Sequence, residues 1–196
     1  MYDPAFSSRE KNDSEKLEIA LGAILTQNTS WSNVVGCLVE LKKRGWMDAG
    51  QLLRLTPVQL AESIRSSGYY NQKALKILAY IHAGRPATRG ALLKVWGVGE
   101  ETADSILLYA YNQPWMVVDA YTRRIFTRLD PGLGCLKHYA DWQDRLTRHL
   151  PEAFIVMNQF HALLVNLGKS FCMKKAPDCV ECPLRSDCQS GSSPAG

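Results

Sequence analysis

No stretch of the 196-residue sequence approaches the roughly 20 consecutive apolar residues that span a bilayer, so a membrane-spanning helix is excluded. The opening segment MYDPAFSSREKNDSEKLE is polar and charged and lacks the apolar core of a secretory signal, which makes a cytoplasmic protein the expectation. No run alternates as a half-buried strand does, and nothing repeats with a period of about 20 to 50 residues, so β-architectures and solenoids drop out. Charge is neither sparse nor one-sided. The 23 basic and 19 acidic residues leave a net +4, which tilts toward a polyanionic partner without naming one. With 46% apolar residues the chain can bury a core, which excludes disorder and collagen-like fibres.

What is present is helical periodicity. Leu17, Leu21, Ile24 and Leu25 share one side of a helix, and Val34, Val35, Leu38 and Leu41 repeat the pattern. Thr56-Pro57-Val58-Gln59 is a capping box with proline at the first helical position, and Gly68 is a natural stop. A helix over Asn71–Ile81 is predicted to turn Leu75, Leu78 and Ile81 to the core, and another runs from about Glu152 to Leu167 with Gly168 as its stop. The fold class is all-α, and residues 191–196 are expected to form a flexible tail.

Between Ala91 and Tyr111, ALLKVWGVGEETADSILLYAY, two helices are joined by Trp96-Gly97-Val98-Gly99. Glycines at 97 and 99 permit positive φ and close approach of another molecule to the backbone. The following helix starts with its dipole and first N–H groups aimed outward, a natural site for phosphate. The pattern is that of a helix–hairpin–helix clamp, which grips a nucleic-acid backbone without reading sequence. Some 20 residues on, the apolar run Met116-Val117-Val118 ends in Asp119 at the mouth of a helix carrying Arg123, Arg124 and Arg128. An acid at that position, taken alone, reads as an N-cap.

Four of the six cysteines crowd the end of the chain as Cys172-x6-Cys179-x2-Cys182-x5-Cys188. In a cytoplasmic protein such a group is a metal site before it is a set of disulfides, and its thiolates suit either zinc or a [4Fe–4S] cluster. Cys37 and Cys135 lie outside the group and are expected to be packing residues.

The clamp and the acid that follows it resemble the helix–hairpin–helix/Gly-Pro-Asp superfamily of DNA glycosylases, and the cysteine spacing matches the [4Fe–4S] loop of its endonuclease III family. The resemblance covers about Leu17 to Cys188. It is strongest toward the 3-methyladenine DNA glycosylase III group, in Leu21–Thr29, Ser67–Ala74, Gly97–Asp104 and Val117–Tyr121.

It implies a two-part helical fold: a six-helix barrel over 17–115, with the hairpin motif at about 89–111, and a cluster part made of 1–16 and 116–190. Between them a cleft would place Asp119 at the junction. It further implies an enzyme of base excision repair acting as a monomer on double-stranded DNA that contains a damaged base, with Asp119 as the catalytic carboxylate. Gln27 and Asn28 are the wedge candidates, unless they only cap a helix. Trp31, Tyr69, Tyr70 and Glu101 are base-pocket candidates, unless they serve packing and the helix dipole. Gly97, Val98, Gly99, Arg123, Lys174 and Lys175 would meet the DNA backbone, and Cys172, Cys179, Cys182 and Cys188 would hold a [4Fe–4S] cluster.

Endonuclease III carries a Schiff-base lysine two residues after the second hairpin glycine, and here that position is Glu101. A carboxylate forms no imine, so a monofunctional glycosylase is expected, with an alkylated purine such as 3-methyladenine as substrate. Mismatched thymine or uracil, an oxidised pyrimidine, and a non-catalytic DNA-binding module are the alternatives.

Overall fold

The computed structural model describes residues 9–192; the expectations that fall on residues 1–8 and on the tail at 193–196 lie outside them. Every regular element among the described residues is helical. In chain order the α-helices are α1 (Asp13–Leu25), α2 (Trp31–Lys43), α3 (Ala49–Leu52), α4 (Pro57–Ser63), α5 (Tyr70–His82), α6 (Arg89–Leu92), α7 (Glu100–Tyr111), α8 (Ala120–Leu129), α9 (Tyr139–Thr147), α10 (Phe154–Ser170) and α11 (Gln189–Ser192). Short 3-10 turns at Arg65–Ser67, Pro131–Cys135 and Arg185–Asp187 link some of them.

The chain divides into two compact units, Ser8–Gln113 and one built on Pro114–Gly196. In the first, α1 packs on α7 and α4 on α5, around a core of Leu17, Leu21, Ile24, Leu25, Leu41, Leu60, Ile77 and Leu107. The capping box at Thr56 forms as the sequence predicts, with Gln59 N–H donating to the threonine hydroxyl. A second box starts α1, where Asn12 and Glu15 cap each other's backbone.

The helix phase departs from expectation at α5. That helix begins at Tyr70 and presents Lys73, Ala74, Ile77, Leu78 and Ile81 to the core, while Leu75 is exposed. The reason is Lys73: its ammonium donates to the carbonyls of Leu25 (2.8 Å) and Ser67 (2.6 Å), so a buried cation occupies a core position that periodicity assigns to an apolar residue. Val35 is likewise exposed, and Val34, Cys37, Leu38 and Leu41 form the inward face of α2.

Residues 9–16, expected with the cluster part, belong instead to Ser8–Gln113. Lys11 is buried and donates to the side-chain oxygen of Asn112 (2.9 Å), whose amide returns a bond to the Arg9 carbonyl (3.1 Å), and Arg85 grips the Asp13 carboxylate. These contacts hold the segment to α7 and the end of α5.

In the second unit α8 packs on α10. Gly168 does not stop α10, which continues to Ser170. A Cβ at that position would overlap the Tyr121 ring of α8, so the glycine serves close helix packing. Gly191 and Ser192, assigned to the tail, lie in α11. Cys37 is buried as expected. Cys135 is exposed, its thiol donating to the nearby Gly132 carbonyl, because the turn at Pro131–Cys135 lies on the surface.

Candidate active site

The hairpin is built from opposing demands of its two glycines. Gly97 adopts φ +82°, in the left-handed region that disfavours a side chain, and a Cβ there would overlap the Lys76 side chain. Gly99, expected to need the same freedom, is instead extended (φ −92°, ψ 180°) and serves as the N-cap of α7. Val98 is buried, and its N–H donates back to the Val95 carbonyl (3.1 Å), which closes the turn and takes that amide out of any outward array. Trp96 is left exposed on the hairpin.

Behind the turn, Arg89 of α6 forms a two-bond pair with the fully buried Asp104 of α7, at 2.7 and 3.3 Å, and reaches Glu100 at 3.3 Å. Sequence reasoning missed this clasp, because no local pattern announces a pair fifteen residues apart.

Gln27 belongs to this hairpin as well. Its amide nitrogen donates to the Gly97 carbonyl (3.2 Å) and the Thr102 hydroxyl (3.1 Å), and its oxygen accepts from Lys76. The polar atoms of the side chain are thereby engaged. Asn28, the other wedge candidate, is exposed with φ +55°. Of the pocket candidates in the same unit, Trp31 is half exposed and lays its ring beside Gly22. Tyr69 is 74% exposed and held at φ +47°, and Tyr70 lies under the guanidinium of Arg65, 5.6 Å from its ring centre. Glu101 is exposed in the first turn of α7, where a negative charge complements the helix dipole.

In the second unit, Met116, Val117 and Val118 are buried and lead the chain into Asp119. The Tyr139 hydroxyl accepts from the Val118 N–H (3.1 Å), and Gln143 donates to the Met116 carbonyl (2.7 Å), so α9 fixes the segment that delivers the carboxylate. Asp119 is the N-cap of α8. One oxygen accepts from the Thr122 N–H (2.7 Å) and hydroxyl (2.9 Å), and the other stands 3.5 Å from His161 Nε2 of α10. Only 15% of its side chain is exposed. Burial pushes the carboxyl pKa up, but the bond and charge of His161 together with the two Thr122 bonds outweigh it, and the net shift is below the ordinary aspartate value. The site therefore keeps a desolvated group anionic. His161 is a neighbour of Asp119 that the sequence did not single out. Its only signal is a histidine on the inward face of α10, which it shares with Asn158.

Among the backbone candidates, Arg123 stacks over Trp142 (5.4 Å), while Lys174 and Lys175 are exposed. Arg128 donates to the carbonyls of Met173 (2.7 Å) and Lys174 (3.2 Å) and to the Cys172 thiol (3.2 Å), so α8 anchors the start of the cysteine loop. The four late cysteines form no disulfide among the described residues and are half buried, and the Cys188 thiol donates to the Arg128 carbonyl (3.3 Å). Their chemistry suits a thiophilic metal centre. Among the described residues no three His, Cys, Asp or Glu side chains converge closely enough to hold an ion.

With hairpin and carboxylate in place, the chain proves to belong to the HhH-GPD superfamily of base excision DNA repair proteins, whose family model matches residues 21–135. The match takes in both the hairpin and Asp119 and ends before the cysteine loop. A provisionally named DNA repair glycosylase of Methanocaldococcus jannaschii is 37% identical, covering 89% of this chain and 86% of its own. Endonuclease III of Thermotoga maritima is 27% identical over 92% of this chain and 86% of its own. Among solved structures, the H. pylori 3-methyladenine DNA glycosylase MagIII, bound to 1,N6-ethenoadenine, superposes with a TM-score of 0.68 at 26% identity, covering 84% and 92% of the two chains. A non-covalent endonuclease III–DNA complex superposes at 0.80 with 23% identity, covering 93% and 86%, and speaks to the fold alone. No helix among the described residues is long and apolar enough to cross a membrane.

Proposed function

We propose that this repair protein is a monofunctional DNA glycosylase that hydrolyses the bond between deoxyribose and an alkylated purine, with Asp119 as its catalytic carboxylate. The observation that carries the reading is a desolvated carboxylate held anionic by Thr122 and His161 in a chain whose lysine position is Glu101. Departure of the base develops positive charge on the sugar, which the Asp119 carboxylate stabilises. Water then adds to the anomeric carbon and gives up a proton to the Asp119 carboxylate, which activates it, leaving an abasic site. A cationic alkylpurine leaves without a proton donor, so one carboxylate suffices. The ethenoadenine bound to the H. pylori relative supports a modified purine as the base.

The damaged base must be flipped from the duplex. Since the Gln27 amide is bonded to the hairpin, the wedge role passes to the exposed Asn28. Trp31, Tyr69 and Tyr70 offer aromatic faces to a cationic base, and Glu101 adds a negative field. Gly97, Gly99, Arg123, Lys174 and Lys175 would bear on DNA phosphates, whereas the Val98 amide, expected among them, is committed to the turn. Cys172, Cys179, Cys182 and Cys188 would hold a [4Fe–4S] cluster, which would supply a covalent staple for the loop carrying Lys174 and Lys175.

The test is a panel of duplexes containing 3-methyladenine, 7-methylguanine, ethenoadenine, uracil, a T·G mismatch or thymine glycol, with borohydride trapping alongside. Release of alkylated purines with no trapped protein–DNA adduct is the expected result. Preference for uracil or thymine glycol would overturn the substrate assignment. A trapped adduct would overturn the monofunctional one.

A further inference from the structure

We infer that His161 is a positioning residue for the reaction, acting on substrate only through Asp119 by fixing the second oxygen of its carboxylate. The inference rests on the function proposed above and deepens it.

The geometry divides the work on Asp119 between two elements. Thr122, one turn into α8, engages one oxygen with both its N–H and its hydroxyl, as an N-cap partner does. Those bonds orient one edge of the carboxylate and leave the rest to rotate about them. His161, from α10, closes that freedom with Nε2 3.5 Å from the other oxygen. The histidine is itself buried, at 8% exposure, on a helix packed directly against α8. Three residues earlier, Asn158 is buried at 2% exposure, so α10 carries two polar residues on a face that Met157 and Leu164 otherwise make apolar.

Among the described residues, the charged side chains of the packed elements are engaged away from Asp119 or lie outside its side-chain contacts. On α8, Arg124 donates to the carbonyls of Gly168 and Cys172, Arg128 reaches the Cys172–Lys174 segment, and Arg123 lies over Trp142. Asp130, which follows α8, caps Gly132, and Lys169 is the only lysine or arginine of α10. Among the described residues His161 is the side chain of α10 that meets the carboxylate, with Nε2 3.5 Å from its second oxygen. Losing it would leave a desolvated carboxylate fixed at one oxygen only. Both its aim and its ionisation would suffer.

The deciding experiment measures single-turnover base release against pH, and DNA affinity separately, for the unaltered protein, His161→Leu and His161→Gln. We expect His161→Leu to slow release roughly 10- to 100-fold at saturating enzyme, as misplacement of a reacting group does. Its acid limb should move to higher pH while DNA affinity stays unchanged. His161→Gln, which keeps a donor near the same place, should recover most of the neutral-pH rate. Release and pH profile unchanged in His161→Leu would overturn the inference, as would a loss that tracks DNA affinity or one that glutamine fails to rescue.

Carbon-13 NMR titration of the Asp119 carboxyl gives a readout that needs no substrate. Its midpoint should rise in either folded variant, and an unmoved midpoint in folded His161→Gln overturns the inference where His161→Leu does not fold. Should the unaltered protein release no base from any duplex, the proposed function fails while the carboxyl titration still judges the pair.

Discussion

Gln27 donates its side-chain amide to the carbonyl of Gly97 at 3.2 Å, joining the turn after the first helix to a hairpin 70 residues further on. With Thr102 and Lys76 completing the set, one side chain braces the loop whose backbone is proposed to meet DNA. Gln27→Ala removes three bonds at once. Each is worth about 1 kcal/mol net, so the melting temperature should fall and DNA affinity should weaken on every sequence alike. Thermal unfolding and binding to undamaged duplexes check both.

Gly97→Ala meets two obstacles, a left-handed φ of +82° and the Lys76 side chain where the methyl would stand. The conformational part alone costs about 1 to 2 kcal/mol. Gly99→Ala lacks both, since its backbone is extended and nothing lies within 4 Å of a new Cβ. Thermal melts should show clear destabilisation at 97 and little at 99. Equal losses would contradict the assigned roles.

Lys73→Met should destabilise by about 2 to 4 kcal/mol, because it strands the buried carbonyls of Leu25 and Ser67 without a donor. An apolar side chain of similar length would be welcome at that core position if periodicity were the whole account. Chemical denaturation separates the two expectations.

Asp119→Asn should reduce base release by roughly 100-fold or more, while DNA binding persists, because the charge facing the developing cation is gone. Asparagine caps a helix about as well as aspartate, so stability at neutral pH should change little. The acid side differs. The folded-state pKa of Asp119 lies below its ordinary value, so its contribution is complete above the ordinary carboxylate range and is lost as pH falls through the depressed value. Melts followed downward in pH should therefore decline less steeply in Asp119→Asn.

A [4Fe–4S] centre on Cys172, Cys179, Cys182 and Cys188 would make the purified protein yellow-brown with stoichiometric iron and sulfide, and Cys182→Ala would bleach it. Colourless protein with bound zinc would replace the cluster by the other thiophilic metal and leave the hairpin and Asp119 untouched.

Much of this molecule was legible in one dimension because it rests on local physics. A period of 3.6, the cap at Thr56 and the glycine turn at 97 act over a few residues, so the helical class and the hairpin could be read along the chain. Asp119 stood out by its place some 20 residues after the hairpin, a pairing that resembles a known family; its local pattern alone spoke only of an N-cap.

What periodicity could not reveal was decided by partners distant in sequence. Lys73 is inside because the carbonyls of Leu25 and Ser67 wait for it, Gly168 lies within the last turn of α10 because Tyr121 presses on it, and residues 9–16 join the first unit because Lys11 finds Asn112. The sequence by itself determined that there is a carboxylate at position 119. Only the tertiary structure brought His161 to 3.5 Å from it, since that proximity depends on the packing of α10 against α8 and leaves no trace in local spacing.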